Sequence, residues 1–154
     1  MKLITERLLD EVSSEAQESS RLRMNYNFHD TLDAPVQRML NALEPGTYLP
    51  PHRHANPDRE EMYLVLRGKL LTIFFDDEGK VTDKVELSPA EGRYGIEIPA
   101  GVWHSIVVLE KGTVIYEAKQ GPYIPISKDN VAPWAPEASD SIAIERYLAE
   151  LITS

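Results

Sequence analysis

Three of the four histidines in the sequence lie at spacings that can bring their side chains together. His52 and His54 are separated by one residue, and alternate side chains of an extended strand leave the same face, so both imidazoles point the same way. Glu61 follows after a short polar loop, and His104 follows the turn at residues 99–101. Neutral imidazole and carboxylate are usual ligands of divalent transition metals, so these four residues predict a metal site.

The spacing of these residues resembles the two sequence motifs of the cupin superfamily. The residues that resemble the first motif are Gly46, His52, His54, Glu61 and Gly68. Those that resemble the second motif are Pro99, Gly101 and His104. The second motif usually opens with a glycine and ends with an asparagine, and this chain has Arg93 and Val108 at those positions.

The loop between His54 and the carboxylate is longer than in the usual first motif, which leaves two candidates for the acidic ligand. Glu60 and Glu61 are adjacent, and either one begins the strand that comes next. We choose Glu61, because its distance in sequence from Gly68 fits the motif.

Longer stretches of the chain resemble the WbuC-type cupin metalloproteins. These stretches are RLRMNYNFHD, QRMLNALEPGTYLPPHRH, GVWHSIVVLEKGTVIYEAKQGPY and APWAPE. The resemblance implies a metal-binding cupin, associated with bacterial surface-polysaccharide gene clusters, whose fold is the double-stranded β-helix or jelly roll. It implies a fold and a site, but no substrate.

Three histidines and one glutamate fill four coordination positions and leave two open in an octahedral site, as a catalytic centre requires. We expect one divalent transition metal per chain. Iron, manganese, nickel, cobalt and zinc all suit this ligand set, because affinity order and cellular supply decide which metal occupies such a site.

Three further residues are candidates for a catalytic role, namely His29, Glu117 and Lys119. His29 lies on an arm in which Asn25 and Asn27 share its face. It is either a pocket acid, base or extra metal ligand, or a solvated strand histidine. Glu117 and Lys119 share a face of one predicted strand, and are either cavity residues or a surface ion pair of little energetic value.

Composition limits the classes of partner. The chain has 154 residues and a net charge of −9, which argues against nucleic acid and anionic membranes as partners. It has no cysteine, so disulfides and thiolate chemistry are excluded. We expect a cytoplasmic protein, because the N-terminus is charged too early for a signal peptide and no run is apolar enough for a membrane span.

The pattern of elements predicts an all-β core with a short helix at each end. Many short strands with regular turns favour a sandwich or a barrel, and the cupin resemblance selects the jelly roll. We expect a single domain over residues 1–154. Its parts are an N-terminal helix and arm at 1–35, a β core at 36–120, and a proline-rich wrap and C-terminal helix at 121–154. Thr5 is the expected cap of the first helix, and Ser139 or Asp140 that of the second.

Three functions fit this sequence. The first is a metal-dependent enzyme, for example an isomerase, epimerase or oxygenase, that acts on a small polar molecule such as a sugar derivative. The second is a metal-containing binding or regulatory module that holds a small-molecule ligand without converting it. The third is a non-catalytic structural cupin in which the metal only braces the barrel. We also expect a homodimer, because sheet edges need covering and Met24, Tyr26 and Phe28 form an apolar row.

Overall fold

The computed structural model describes residues 1–153, which form antiparallel strands with a helix near each end. The helices are α1 (Glu6–Glu18) and α2 (Ser141–Thr153). The strands are β1 (Arg23–Asn27), β2 (Val36–Leu43), β3 (Glu61–Arg67), β4 (Leu70–Phe75), β5 (Val81–Leu87), β6 (Gly95–Ile98), β7 (Trp103–Val108) and β8 (Thr113–Gln120). None of the helices in this range has the length and apolar character that crossing a membrane requires.

The strands form two antiparallel sheets that pack face to face. One sheet has the order β1-β2-β8-β3-β6, and the other has the order β5-β4-β7. Strand β8 lies between β2 and β3, so the chain returns to the first sheet after completing the second. The main core is made of apolar side chains from both sheets: Leu43, Tyr63, Val65, Leu70, Leu87, Ile98, Ile106, Val108 and Ile115. Because each sheet presents one face to this core, the result is a two-sheet sandwich.

Helix α1 covers the outer face of the five-stranded sheet. The Thr5 hydroxyl accepts a hydrogen bond from the Leu8 N–H at 3.3 Å, as the sequence predicted for the cap. Leu9, Val12 and Ala16 are buried on one side of the helix, at the three- and four-residue spacing of a helical face. They pack against a cluster that includes Leu40, Ala42 and Val114 of the sheet.

The apolar row of β1 is partly buried within the chain itself. Met24, Tyr26 and Phe28 pack against the cluster under α1, and the Tyr26 and Phe28 rings meet edge to face with centroids 5.2 Å apart. The row is therefore largely used inside the protomer, and it offers less free apolar area than the sequence suggested. The homodimer stays a prediction.

The C-terminal segment packs on the outer face of the three-stranded sheet. Of the two expected caps of α2, Asp140 is the one observed, since its carboxylate accepts from the Ala143 N–H at 3.0 Å. Leu148 and Leu151 are buried in a cluster that includes Trp103 of β7. This cluster anchors the end of the chain beside the strand that carries His104.

Gly68 connects β3 to β4 in a conformation that favours glycine. Its φ is +86°, and a Cβ added there would lie 2.7 Å from the Cα of Thr113. Gly112 also has a positive φ, +73°, but a Cβ there would meet nothing within 4 Å. An alanine at Gly112 would therefore meet backbone strain alone, whereas an alanine at Gly68 would meet the same strain and a steric clash.

We predict that Gly68→Ala destabilises the protein more than Gly112→Ala does. The control should lose about 1 kcal/mol from the left-handed backbone alone, and Gly68→Ala about 3 kcal/mol, because the Thr113 backbone must also move. Thermal unfolding followed by circular dichroism should show a melting temperature lower by roughly 6–12 °C for Gly68→Ala. Equal losses in the two variants would contradict the close approach to Thr113.

Candidate metal centre

Main-chain hydrogen bonds between two segments that are far apart in sequence bring His52 and His104 together. The His52 N–H donates to the His104 carbonyl and the His104 N–H donates to the His52 carbonyl, each at 2.9 Å. Residues paired directly across an antiparallel ladder project their side chains to the same face. The two imidazole centroids are accordingly 4.4 Å apart. His54 lies two residues along the same segment, and its ring centroid is 5.1 Å from that of His52.

The proline-rich segment braces the other edge of the His52–His54 stretch. The Arg53 N–H donates to the Asn130 carbonyl at 3.0 Å, and the Ala132 N–H donates to the Pro51 carbonyl at 2.9 Å. The Asn130 side-chain amide donates to the Ala55 carbonyl at 2.6 Å. The sequence predicted only an irregular surface wrap here. The segment instead pairs with the edge of the histidine stretch that faces away from β7, and it holds the stretch against β7.

Glu61 completes the cluster from the five-stranded sheet. Its Oε1 lies 2.7 Å from His104 Nε2 and its Oε2 lies 3.1 Å from His54 Nε2. One ligand atom from each of His52, His54, Glu61 and His104 falls within 4.8 Å of all the others. Glu60, the alternative carboxylate, is exposed and stands outside this cluster.

A hydrogen bond to a main-chain carbonyl fixes the tautomer of two of the imidazoles, those of His52 and His104. His52 Nδ1 donates to the Pro50 carbonyl at 3.0 Å, and His104 Nδ1 donates to the Val102 carbonyl at 2.9 Å. A carbonyl can only accept, so both rings carry a proton on Nδ1, and Nε2 is the atom left to act as a ligand in the neutral ring. This arrangement is the usual support of a metal-bound histidine.

The donor set of the cluster fits a cation. His104 Nε2 is buried and has no hydrogen-bond partner within residues 1–153, although a carboxylate oxygen is 2.7 Å away. In the neutral ring, which carries its proton on Nδ1, this nitrogen is an acceptor facing another acceptor, and the contact becomes favourable when a positive charge, either a proton on Nε2 or a metal ion, lies between the two atoms. A divalent ion held by His52, His54, Glu61 and His104 supplies that charge.

Burial sets the protonation states that such an ion needs. Burial, aided by the neighbouring His104, lowers the pKa of His52 to about 3, so this imidazole is neutral near pH 7. Burial alone would raise the pKa of Glu61, but its contacts with His104 and His54 lower it further than burial raises it. The cluster therefore offers an ionised carboxylate at Glu61 and a neutral nitrogen ligand at His52.

A cavity of about 340 Å³ opens beside the cluster between the two sheets. Its size is at the lower end of the range for small-molecule sites in proteins. The metal-ligand candidates on its wall are His52, Glu61 and His104, and His29, Glu117 and Lys119 line it as well. His54 stands at the edge, where it lines a neighbouring pocket of about 60 Å³. The structure thus brings all seven candidate residues to one region.

His29 is buried with its ring anchored to the main chain. Its Nδ1 lies 3.0 Å from both the N–H and the carbonyl of Arg38. Nδ1 accepts from the N–H when it is unprotonated and donates to the carbonyl when it carries a proton. The ring therefore has a main-chain partner at Nδ1 in either case.

Glu117 and Lys119 form part of a chain of polar contacts that ends at the metal-ligand candidates. Lys119 Nζ lies 2.9 Å from Glu117 Oε1 and 3.5 Å from Glu61 Oε2, and the Asn41 amide donates to Glu117 Oε2. Burial lowers the pKa of Lys119, but the two carboxylates raise it by more, so the side chain stays an ammonium. The sequence left open whether this pair was exposed; both residues line the cavity.

Sequence analysis missed four polar residues on the cavity wall, namely Arg23, Asn41, Tyr63 and Tyr123. Gln37 and Asn41 lie four residues apart on β2, on the face that its alternation turns inward. That period-two pattern was the available signal for Asn41. The Tyr63 hydroxyl is 2.6 Å from the Thr72 hydroxyl and spans the two sheets.

Comparison with protein families gives a match over residues 4–87 to the family described as Domain of unknown function (DUF6016). The chain belongs to this family. No curated protein matches the sequence. Because the family description names no activity, the function has to be inferred from the fold and from the geometry of the site.

Solved structures identify the fold as that of the cupin superfamily. KdgF from Halomonas sp. is 18% identical, with a TM-score of 0.51 over 66% of this chain and 82% of that protein. Oxalate oxidase, in complex with the substrate analogue glycolate, is 16% identical, with a TM-score of 0.56 over 90% and 76% of the two chains. The cupin domain of Schizosaccharomyces pombe Cnp3 is 11% identical, with a TM-score of 0.50 over 64% of each chain. The predicted cupin jelly roll is confirmed.

We predict that Glu61→Gln weakens metal binding, whereas Glu60→Gln does not. The first substitution removes the one carboxylate that residues 1–153 place in the cluster with the three imidazoles, and the second changes an exposed side chain. Metal content after dialysis, measured by mass spectrometry, should fall at least tenfold for Glu61→Gln alone. The reverse result would place the ligand at Glu60.

We predict that the metal-free protein loses stability as the pH falls from about 6.5 towards 3. His52 has a lowered pKa in the folded state, so below its ordinary value the unfolded chain binds a proton that the folded chain does not. The contribution of the buried, neutral His52 to the free energy of unfolding is therefore fully present above pH 6.5 and is lost as the pH falls towards 3. Urea unfolding at a series of pH values should show this slope, and His52→Gln should reduce it. An unchanged slope in the variant would contradict the assignment.

Proposed function

We propose that this protein is a metal-dependent enzyme that acts on a small polar molecule in the cavity between its sheets. The observation that carries the proposal is one arrangement: four metal-ligand candidates lie within 4.8 Å of one another, and three of them line a cavity of about 340 Å³. A metal that only braced the fold would need no such space, because structural sites are closed and catalytic sites keep an open position.

The chemistry divides between the ion and the side chains around it. A divalent metal at His52, His54, Glu61 and His104 supplies a Lewis acid for a carbonyl or hydroxyl oxygen or, if it is iron, a centre for dioxygen chemistry. His29 exchanges protons with the bound molecule through the ring nitrogen that the Arg38 main chain leaves free. This role suits an imidazole at neutral pH.

Lys119 and Glu117 position charge around the reacting molecule. The Lys119 ammonium lies between Glu61 and Glu117, and so holds both carboxylates in place and favours the ionised form of Glu61. It also presents a positive charge to the cavity, where negative charge that develops on an oxygen is stabilised. Glu117 receives the Asn41 amide and Lys119 on separate oxygens, which fixes its orientation.

We extend the proposal to a sugar derivative as the type of substrate. The resemblance to WbuC-type cupins and their surface-polysaccharide gene clusters supports this choice. The polar wall formed by Asn25, Asn27 and Asn41 supports it also, since amide groups both donate to and accept from sugar hydroxyls.

We predict that His54→Ala removes most of the metal and that His29→Ala retains it. His54 contributes one of four ligands, whereas His29 lines the cavity without belonging to the ligand cluster. Elemental analysis should therefore give near-stoichiometric metal in His29→Ala and a loss of at least tenfold in His54→Ala, with both variants folded by circular dichroism. Full metal retention in His54→Ala would overturn the proposed centre.

A further inference from the structure

Asn41 carries a buried hydrogen-bond acceptor that the described part of the chain leaves unsatisfied. The residue is only 9% exposed and lines the cavity beside the metal-ligand cluster. Its Oδ1 has no hydrogen-bond partner within residues 1–153. A buried carbonyl oxygen without a donor costs about 1–3 kcal/mol, so its environment normally includes a donor.

The orientation of the Asn41 amide is fixed by its neighbour. The amide nitrogen donates to Glu117 Oε2, and the other oxygen of Glu117 accepts from Lys119 at 2.9 Å. Rotating the amide by 180° would place Oδ1 against an ionised carboxylate, which accepts hydrogen bonds but does not donate them. Oδ1 therefore remains the free atom, and it requires a donor such as a hydroxyl group.

The charges that line the cavity favour an anion. Lys119 touches both Glu61 and Glu117, whereas Arg23 has no carboxylate within ion-pair distance in the described chain. The Arg23 guanidinium instead donates to the Tyr48 carbonyl at 2.6 Å. With a divalent ion at the ligand cluster, the positive charges exceed the negative charges on this wall, although the whole chain carries −9.

We propose that the ligand is a small hydroxy carboxylic acid, whose carboxylate lies at the metal-ligand cluster and whose hydroxyl donates to Asn41 Oδ1. This inference rests on the proposed function, because the carboxylate end needs the ion at His52, His54, Glu61 and His104. It assigns Asn41 as the residue that selects a hydroxylated ligand over an alkyl chain. Glu117 and Lys119 stand between Asn41 and Glu61 in the chain of polar contacts along the cavity wall, so the hydroxyl belongs several bonds from the carboxylate.

Matched probes test this assignment. The probes are 4-hydroxybutanoate, 5-hydroxypentanoate and 6-hydroxyhexanoate, each paired with the unsubstituted acid of the same length. Dissociation constants for the zinc-loaded full chain, measured by calorimetry, should be roughly tenfold lower for the hydroxy acid at one chain length, because one buried acceptor gains a donor. Asn41→Leu should reduce that ratio to about one. Arg38→Gln, a change at an exposed residue of the same strand, should keep it.

The outcomes separate this assignment from the proposed function. A chain that retains none of iron, manganese, nickel, cobalt or zinc refutes the metal centre before any probe is added; a chain that retains another of these metals in place of zinc is tested loaded with that metal. Two results with the zinc-loaded wild-type protein overturn the assignment to Asn41 without any variant. In the first, neither member of any pair binds; in the second, both members bind equally at every chain length. Persistence of the preference in folded, zinc-loaded Asn41→Leu also overturns it.

Discussion

The main-chain pairing of His52 with His104 is the constraint on which the rest of the site depends. Two hydrogen bonds of 2.9 Å join segments that are far apart in sequence and place their imidazoles on one face. The pairing is held from both sides, by β4 next to β7 and by residues 130–132 next to the histidine stretch. Glu61 then needs only to begin β3 at the facing edge of the other sheet to complete a four-ligand cluster.

The electrostatics of the cluster result from that packing. Burial disfavours charge on His52, and the carbonyls of Pro50 and Val102 hold the Nδ1 protons of two rings. Glu61 keeps its negative charge because two imidazoles and Lys119 surround it. A site built this way is prepared for a cation, since a buried nitrogen of His104 finds no hydrogen-bond partner in the described part of the chain.

The same geometry explains why the ligand cavity and the metal cluster are one site. Strand β8 lies between β2 and β3, so Lys119 stands beside Glu61, and Glu117 stands beside Tyr63. Across the other edge of β8, Glu117 pairs with Met39, one inward-facing position from Asn41. Polar contacts therefore run from the metal-ligand candidates across three strands to the far wall of the cavity.

Much of this arrangement could be predicted from local pattern, and the rest required tertiary information. Strands β2 and β4 and the cap of α1 are indicated by alternation, turn residues and a threonine at the right place. The side-chain cluster was predictable because motif spacing carries the pairing of distant strands. The bracing by Asn130 was not, because hydrogen bonds from an irregular segment leave no periodic signal. Asn41 was missed for a related reason: alternation shows which face a residue takes, but not which of its atoms lacks a partner.

The proposed function depends on a divalent transition metal held by His52, His54, Glu61 and His104. Elemental analysis of the protein purified without added metal tests this centre most directly. We predict close to one transition-metal ion per chain, retained through dialysis against a weak chelator. A folded protein that contains no such metal, and takes none up from solutions of iron, manganese, nickel, cobalt or zinc, would contradict the assignment.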